Sequence, residues 1–499
     1  MKHVVFLLER TIDSLFIDRR VLNQARMFVR CGWAVTILLP TFTPEHVAVE
    51  YEPGIAVRAF NQSRPPITKT FISELTGIPN DLIGTSAALA GGFDERLSTV
   101  VQTWPAPKLD ELVPFDIFDI DRELYERNST PATIFHLYLQ TDYFAHYAAA
   151  LKPDLIWVAD YHGCRAAWRL KRRFSIPYIL DFHELHWGQN HKPLRERKIV
   201  HRVEAEACRE ATAVTTVSDL CGELLALEYD LPTPPVTLNN VPAFQPVARS
   251  VGRRRLEATF GIPPEDRVII FHGGLAARRR NIEPLLEAQA AVAPDGLHLL
   301  FLGSGPAEEA IRRGGPRVHF HPMVDQQTMA EFVAGSDFVL FPYVGMVPNY
   351  RFSSGNKLFD AIALRCPMIV TTELDDTCMT IENYGIGWTA PMGNSGDMKA
   401  LLHRAATGPR CWDGLDAGFA RAEFDLGPDV TFRRLEDLIA RIDREKNGDR
   451  GTPVFAGEGR VVPRRYRHIV ERRRALAQAD GRGDLVSRID RFLAEVLPC

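Results

Sequence analysis

The residues best placed to do chemistry lie in NYRFSSGNKLFDAIALRCP, residues 349–367. Ser353, Ser354, Gly355 and Asn356 are helix-start residues, and a helix is expected from there to about Arg365, before Pro367. A helix start presents unpaired N–H groups and the positive end of a dipole, which suits a phosphate. Lys357 and Asp360 are three apart and so share one face. A cation beside a carboxylate there suits a diphosphate with an adjoining ribose diol; a capped helix with a surface ion pair fits the residue types equally well. Two glycine turns could bring backbone close to a ligand: Gly303-Ser304-Gly305 after LHLLFL, and Gly273-Gly274 after His272. A lone G-x-G is also an ordinary strand-to-helix turn. The second turn is followed by Arg278, Arg279 and Arg280, either a basic cluster for an anion or a solvated loop. In DFHELHW, His183 follows an apolar run and could bond a sugar hydroxyl or move protons near neutral pH, or be a satisfied strand-end histidine.

These residues need strands to carry them. Val4–Glu9 reads as a strand, Asp18 opens an amphipathic helix ending at Gly32, and Ala34–Leu39 is the next strand, a β-α-β unit. Residues 41–150 lose the pattern and read as an insertion. Alternation resumes with DLIWVAD (154–160), a helix over Arg165–Phe174, PYILD (177–181), a charged helix over Arg195–Glu210, AVTTV (213–217) and Val236–Asn239. PAFQPVARSVGRRR is the expected linker. A second series then places strands at Val268–His272, Leu297–Leu302, Val318–Phe320, Phe338–Phe341 and Met368–Val370. The expected architecture is α/β: two doubly wound Rossmann-like domains, with ligand at the carboxyl ends of the strands in a cleft. Domains are expected at 1–245 and 253–448, with an Arg-rich helical extension over 449–499.

The 499 residues exceed one compact core, and 59 Lys plus Arg against 63 Asp plus Glu argues against nucleic acid. Eight Cys without a C-x-x-C pair fit a reducing compartment. No apolar run has signal-peptide or membrane-spanning character, so a cytoplasmic protein is expected. The tail arginines (460, 464, 465, 467, 472, 473 and 474) fit either peripheral contact with an anionic membrane face or a solvated helix. Metal sites are not expected: His183-Glu184-Leu185-His186 is H-E-x-H rather than H-E-x-x-H, His191 has no recognised spacing, and Asp119-Ile120-Asp121 lies in the insertion.

Taken in order, FHGGLAARRRNIEPLLEA, LHLLFLGSGP, VHFHPMVDQQTMAEFVAGSDFVLFPY, SSGNKLFDAIALRCPMIV and ENYGIG resemble glycosyltransferase family 4 within the GT-B fold. The first half matches more loosely, through DRRVLNQAR at 18–26 and DFHEL at 181–185. The resemblance implies a nucleoside-diphosphate sugar as co-substrate, bound by the second domain without a further cofactor. It also implies a glycan, lipid-linked or small-molecule acceptor and retention of anomeric configuration. Arg280 and Lys357 would meet the donor phosphates, with Gly274 and Arg279 beside them; Gly355 and Asn356 would offer N–H groups, and Asp360 would hold the ribose. Met323 and Val324 fall at the base-contacting loop, and His183 near the transferred sugar. Glu184, Arg10 and Asp18 are the expected acceptor contacts. In two places the chain departs from the family. Phe352 stands where a Glu is common, leaving Asn349 or Ser353 for that sugar contact, and Glu9, Arg10 and Thr11 replace a glycine pair. A nucleotide-sugar epimerase and a non-catalytic nucleotide-sugar-binding partner of an envelope-polymer assembly remain as alternatives.

Overall fold

In the computed structural model the described residues are 1–8, 18–41, 48–61, 140–188, 194–242, 244–275, 280–292, 296–344, 347–408, 414–446, 466–479 and 481–495. They form two compact units, one of Met1–Thr237 with Arg434–Cys499 and one of Leu238–Arg433.

The first unit is built on an eight-stranded sheet in the order β3-β4-β2-β1-β5-β6-β7-β8. Its strands are β1 (His3–Leu7), β2 (Ala34–Thr41), β3 (Ala48–Glu52), β4 (Ile55–Asn61), β5 (Leu155–Ala159), β6 (Tyr178–Phe182), β7 (Ala213–Thr216) and β8 (Val236–Thr237). All neighbours are parallel except β3 and β4. The strand order reverses between β1 and β5. Helices must cover both faces of such a sheet, so its strands are continuous apolar runs: LIWVA of β5 is buried throughout. Trp157 stacks on Phe6 at 5.5 Å between ring centroids and meets the edge of Phe28 at 5.6 Å, which ties β5 and β1 to the first helix, Arg19–Arg30.

Part of the stretch expected as an insertion is sheet. Residues β3 and β4 form a hairpin whose second strand extends β2 in parallel. The turn is Pro53-Gly54, with Gly54 at φ 83°, a conformation glycine adopts without a Cβ clash. Residues 62–139, including Asp119 and Asp121, lie outside the described residues.

The second unit is a six-stranded, wholly parallel sheet in the order β11-β10-β9-β12-β13-β14. These are β9 (Arg267–Gly274), β10 (Leu297–Ser304), β11 (Val318–His321), β12 (Phe338–Phe341), β13 (Met368–Thr371) and β14 (Gly387–Ala390). Here the order reverses between β9 and β12. The glycines of the G-x-G turn serve this sheet. A Cβ on Gly303, which sits at φ 155°, would lie 1.9 Å from the Gly273 carbonyl oxygen, and one on Gly305 would lie 2.6 Å from that of Leu275. The close approach is between neighbouring strand ends.

Two expectations are corrected. The expected linker is half helix: Arg249–Phe260 packs in the second unit, and a Cβ on Gly252 would come within 2.2 Å of the Gly335 nitrogen. Arg249 and Arg253 of that helix grip buried Asp337, at 2.7 Å for Arg249. A pattern of glycine and arginine hides such a helix because its buried face makes contacts through backbone and charge. The second correction concerns the chain from Arg434. The end of the long helix Pro428–Lys446 belongs to the first unit, as do helices Tyr466–Ala479 and Gly483–Glu495. Leu227 joins Val470, Ala477, Leu485, Ile489 and Leu493 in one apolar cluster. Beside it buried Glu228 receives Arg473, Arg482 and, at 2.8 Å, His201. Burial alone would raise the Glu228 pKa, but Arg473 foremost among these groups holds it far below the usual range. Arg473 thus turns inward, and Arg474 pairs with Asp490, so these two do not form a free basic face; Arg460, Arg464 and Arg465 lie outside the described residues. Among the described residues no helix is long and apolar enough to cross a membrane.

Removing one partner of a buried ion pair leaves a buried charge and typically costs about 3–5 kcal/mol. Arg473→Ala is therefore expected to lower the urea midpoint of the first unit by a corresponding amount. Arg467→Ala, whose pair with Glu471 is more exposed, is expected to change it little.

Candidate functional site

Both sheets direct polar side chains to the carboxyl ends of the strands beside their reversal points. In the second unit β9 ends at Gly274, and Tyr343 follows β12. Lys357 lies in the first turn of the helix Asn356–Ala363, after Gly355 in the capping position. Lys357 is buried, with its Nζ 3.5 Å from the Phe271 ring centroid, and it donates to the Tyr343 hydroxyl at 3.0 Å. The Arg280 guanidinium lies 4.0 Å over the Tyr343 ring and 5.8 Å from the centre of Tyr350. Its Nε and Nη1 are buried without a hydrogen-bond partner among the described residues. Burial first, and then the charge of Arg280, push the Lys357 pKa well below the ordinary lysine value, while Asp360 works in the opposite direction. A lysine and an arginine thus share one aromatic enclosure. Asp360 is buried on the same helix.

The remaining expected donor residues are less gathered. Gly274 is exposed and ends β9. Ser353 ends the short helix Pro348–Phe352 and donates to the Asn349 carbonyl. Met323 is 68% exposed, and Val324 packs partly against the core. Phe352 is fully buried, so position 352 supplies an apolar anchor. Arg279 lies outside the described residues.

In the first unit His183 follows β6 and is held by carboxylates from two strands. Its Nε2 donates to Asp181 Oδ2 at 2.9 Å, its Nδ1 lies 3.4 Å from Asp160 Oδ2, and its backbone N–H donates to Asp160 Oδ1 at 3.0 Å. His186 Nε2 reaches the same Asp160 oxygen at 3.0 Å. Asp181, buried, also accepts from Arg20 at 2.6 and 2.9 Å, from Gln24 at 2.7 Å and from Thr215 at 2.6 Å. Asp160 carries a positive φ of 63°, a conformation costing of order 1–3 kcal/mol that persists only where surroundings impose it. Burial would lower the His183 pKa, but Asp160 and Asp181 outweigh it and raise it to about 9. Both aspartates are held far below the usual carboxylate range, against burial, by Arg20 and His183 at Asp181 and by His183 and His186 at Asp160. At neutral pH the ring is a clamped cation and a donor, with no lone pair free to act as a base.

Glu184 is exposed, Asp18 caps the first helix by accepting from the Arg20 N–H at 2.8 Å, and Arg10 and His191 lie outside the described residues. Among the described residues no group of three or more His, Cys, Asp or Glu side chains is placed to hold a metal. Sequence reading missed Tyr343, Tyr350 and Phe271 beside the cations, and Asp160, Asp181, Arg20 and Gln24 around His183. The aspartates left a signal, a lone carboxylate closing each apolar strand in DLIWVAD and PYILD; the tyrosines left none, since aromatic residues at strand ends are ordinary core material.

Two parallel-sheet α/β units of this topology have the GT-B fold. Residues 17–241 match the family described as "Glycosyl transferase 4-like domain", and residues 266–406 the one described as "Glycosyl transferases group 1". The chain belongs to glycosyltransferase family 4. No curated protein sequence matches it. Among solved structures it resembles sucrose-phosphate synthase from Thermosynechococcus elongatus, with TM-score 0.60, 15% identity, and coverage of 89% of this chain and 100% of the other. It also resembles HepE from Anabaena in complex with UDP-glucose, with TM-score 0.53, 12% identity, and coverage of 88% and 100%. A third likeness is to the trehalose-6-phosphate structure from E. coli bound with UDP-2-fluoro glucose, with TM-score 0.55, 11% identity, and coverage of 89% and 99%. At these identities the likeness is one of fold.

Because the folded pKa of His183 lies above the ordinary value of 6.5, its contribution to stability is complete below pH 6.5 and fades as pH rises through about 9. The melting-temperature difference between wild type and His183→Gln should therefore shrink over that window. A difference constant from pH 6.5 to 9 would contradict a clamped imidazolium.

Proposed function

We propose that this glycosyltransferase moves a hexosyl group from a nucleoside-diphosphate sugar to a hydroxyl of a glycan, a lipid-linked sugar or a small molecule, with retention of anomeric configuration. One observation carries the donor assignment: Arg280 and Lys357 occupy a single aromatic enclosure, with guanidinium nitrogens left unpartnered among the described residues. A diphosphate supplies the negative charge that this arrangement requires.

In this reading Arg280 and Lys357 stabilise the charge that develops on the leaving nucleoside diphosphate, the catalytic contribution that preorganised cations make best. The helix beginning at Asn356 adds its dipole, with Gly355 and Asn356 at its start, and Gly274 and Arg279 are assigned to the same phosphates from their place before Arg280 in sequence. Asp360 is assigned the ribose hydroxyls, Met323 and Val324 the base, and Ser353 the sugar contact vacated at position 352. His183 is assigned the transferred sugar as a cationic donor, and Arg10, Asp18 and Glu184 the acceptor. No step calls for a metal ion. HepE is seen with UDP-glucose and the E. coli structure with UDP-2-fluoro glucose, which favours uridine as the donor base.

The test begins with thermal shifts in UDP, GDP and ADP, since a ligand that binds only the folded state raises the melting temperature with concentration. UDP is expected to stand out. Removal of one such charge-stabilising group typically costs about a hundredfold or more in kcat, so Arg280→Ala and Lys357→Ala should lose transfer to that extent while remaining folded. Near-normal turnover in both variants would remove the assignment, and donor binding without turnover in the wild type would point to a non-catalytic nucleotide-sugar-binding protein.

A further inference from the structure

Tyr343 touches both proposed phosphate-binding cations through different parts of its side chain. Its hydroxyl accepts from Lys357 Nζ at 3.0 Å, and its ring face carries the Arg280 guanidinium at 4.0 Å. It stands two residues past β12, beside the point where the second sheet reverses its order. Tyr350 braces the ring at 5.8 Å between centroids and also lies 5.8 Å from Arg280. Phe271, from β9, also faces the ammonium, 3.5 Å from Nζ to its ring centroid.

Two long cationic side chains so near each other would ordinarily diverge into solvent, since each has several rotatable bonds and like charge drives them apart. A tyrosine solves the problem from both sides. Its π face attracts the planar guanidinium, and its hydroxyl fixes the position of the ammonium. Neither attraction consumes the cation's charge, as a carboxylate would, so the field remains available to an incoming anion.

We infer that Tyr343 is a positioning residue for the donor diphosphate, acting on affinity through Lys357 by its hydroxyl and through Arg280 by its ring. This rests on the reading that Arg280 and Lys357 meet that diphosphate. The residue need not touch the nucleotide. Its two contacts can be separated by substitution: Tyr343→Phe removes the hydroxyl alone, and Tyr343→Leu removes hydroxyl and aromatic face together.

The experiment measures dissociation constants of UDP, GDP, ADP and their monophosphates by calorimetry for the wild type, Tyr343→Phe, Tyr343→Leu, Lys357→Ala, Arg280→Ala and their pairwise and triple combinations. Melting temperatures confirm folding of each. Tyr343→Phe is expected to weaken the preferred nucleoside diphosphate about fivefold, in keeping with loss of one ordinary hydrogen bond. The corresponding monophosphate should be weakened less. In the Lys357→Ala background the same substitution should have no further effect, because its route is already cut. Tyr343→Leu should still weaken binding in that background and should lose this residual effect once Arg280 is also alanine. A purely structural role would predict equal, additive losses in every background, and that outcome, or unchanged affinity in Tyr343→Phe, overturns the inference. If Lys357→Ala and Arg280→Ala themselves bind nucleotide as tightly as the wild type, or no nucleotide binds the wild type, it is the donor-site reading that falls. Should Tyr343→Leu fail to fold, Tyr343→Phe with its Lys357→Ala cycle decides the hydroxyl half alone.

Discussion

Two positive charges confined beside each other among neutral rings set the terms for the second unit. Like charges brought together repel, and burial adds to that cost. The surrounding fold has to hold them regardless. It does so with a wholly parallel sheet, whose reversal between β9 and β12 brings Phe271 of one strand and Tyr343 after the other to the same end. The helix start at Gly355 delivers Lys357 to the gap from a third direction.

The first unit handles charge in the opposite way. Arg20, His183 and His186 are set against the carboxylates of Asp160 and Asp181. Each carboxylate has more than one donor, and Asp181 is bound by four side chains. Such a network fixes the orientation of the imidazole and its protonation together. The backbone of Asp160, held in a conformation few residues adopt, shows how firmly the surroundings determine this corner. One unit keeps unspent charge, and the other spends it on geometry.

How far the sequence could be read follows from this physics. Fully buried parallel strands are short apolar runs, so β1, β5, β6, β9, β10 and β12 were legible to within a residue or two. His183 and Arg280 stood out because polar residues next to such runs fall at the strand ends, and Lys357 because it follows a cluster of helix-start residues. The hairpin of β3 and β4 was not seen, although Pro53-Gly54 between alternating segments signals one. The helix Arg249–Phe260 was hidden because Gly252 packs backbone to backbone and its arginines pair with Asp337 from across the unit. Tyr343 left no signal at all, and the carboxylate closing PYILD marked Asp181 without its partners, since these lie far along the chain, such as Arg20, 161 residues away from Asp181.

The return of the chain to its first unit has a bearing on the order of assembly. Leu238–Arg433 is an uninterrupted stretch, whereas the first unit combines Met1–Thr237 with residues from Arg434 onward. During synthesis the later-made unit has all its strands available before its predecessor has its closing helices. Until Arg473 and Arg482 emerge, Glu228 has neither of the guanidiniums that neutralise it, and Leu227 lacks its apolar cover. A nascent chain would therefore carry an unfinished N-terminal half past a completed insert.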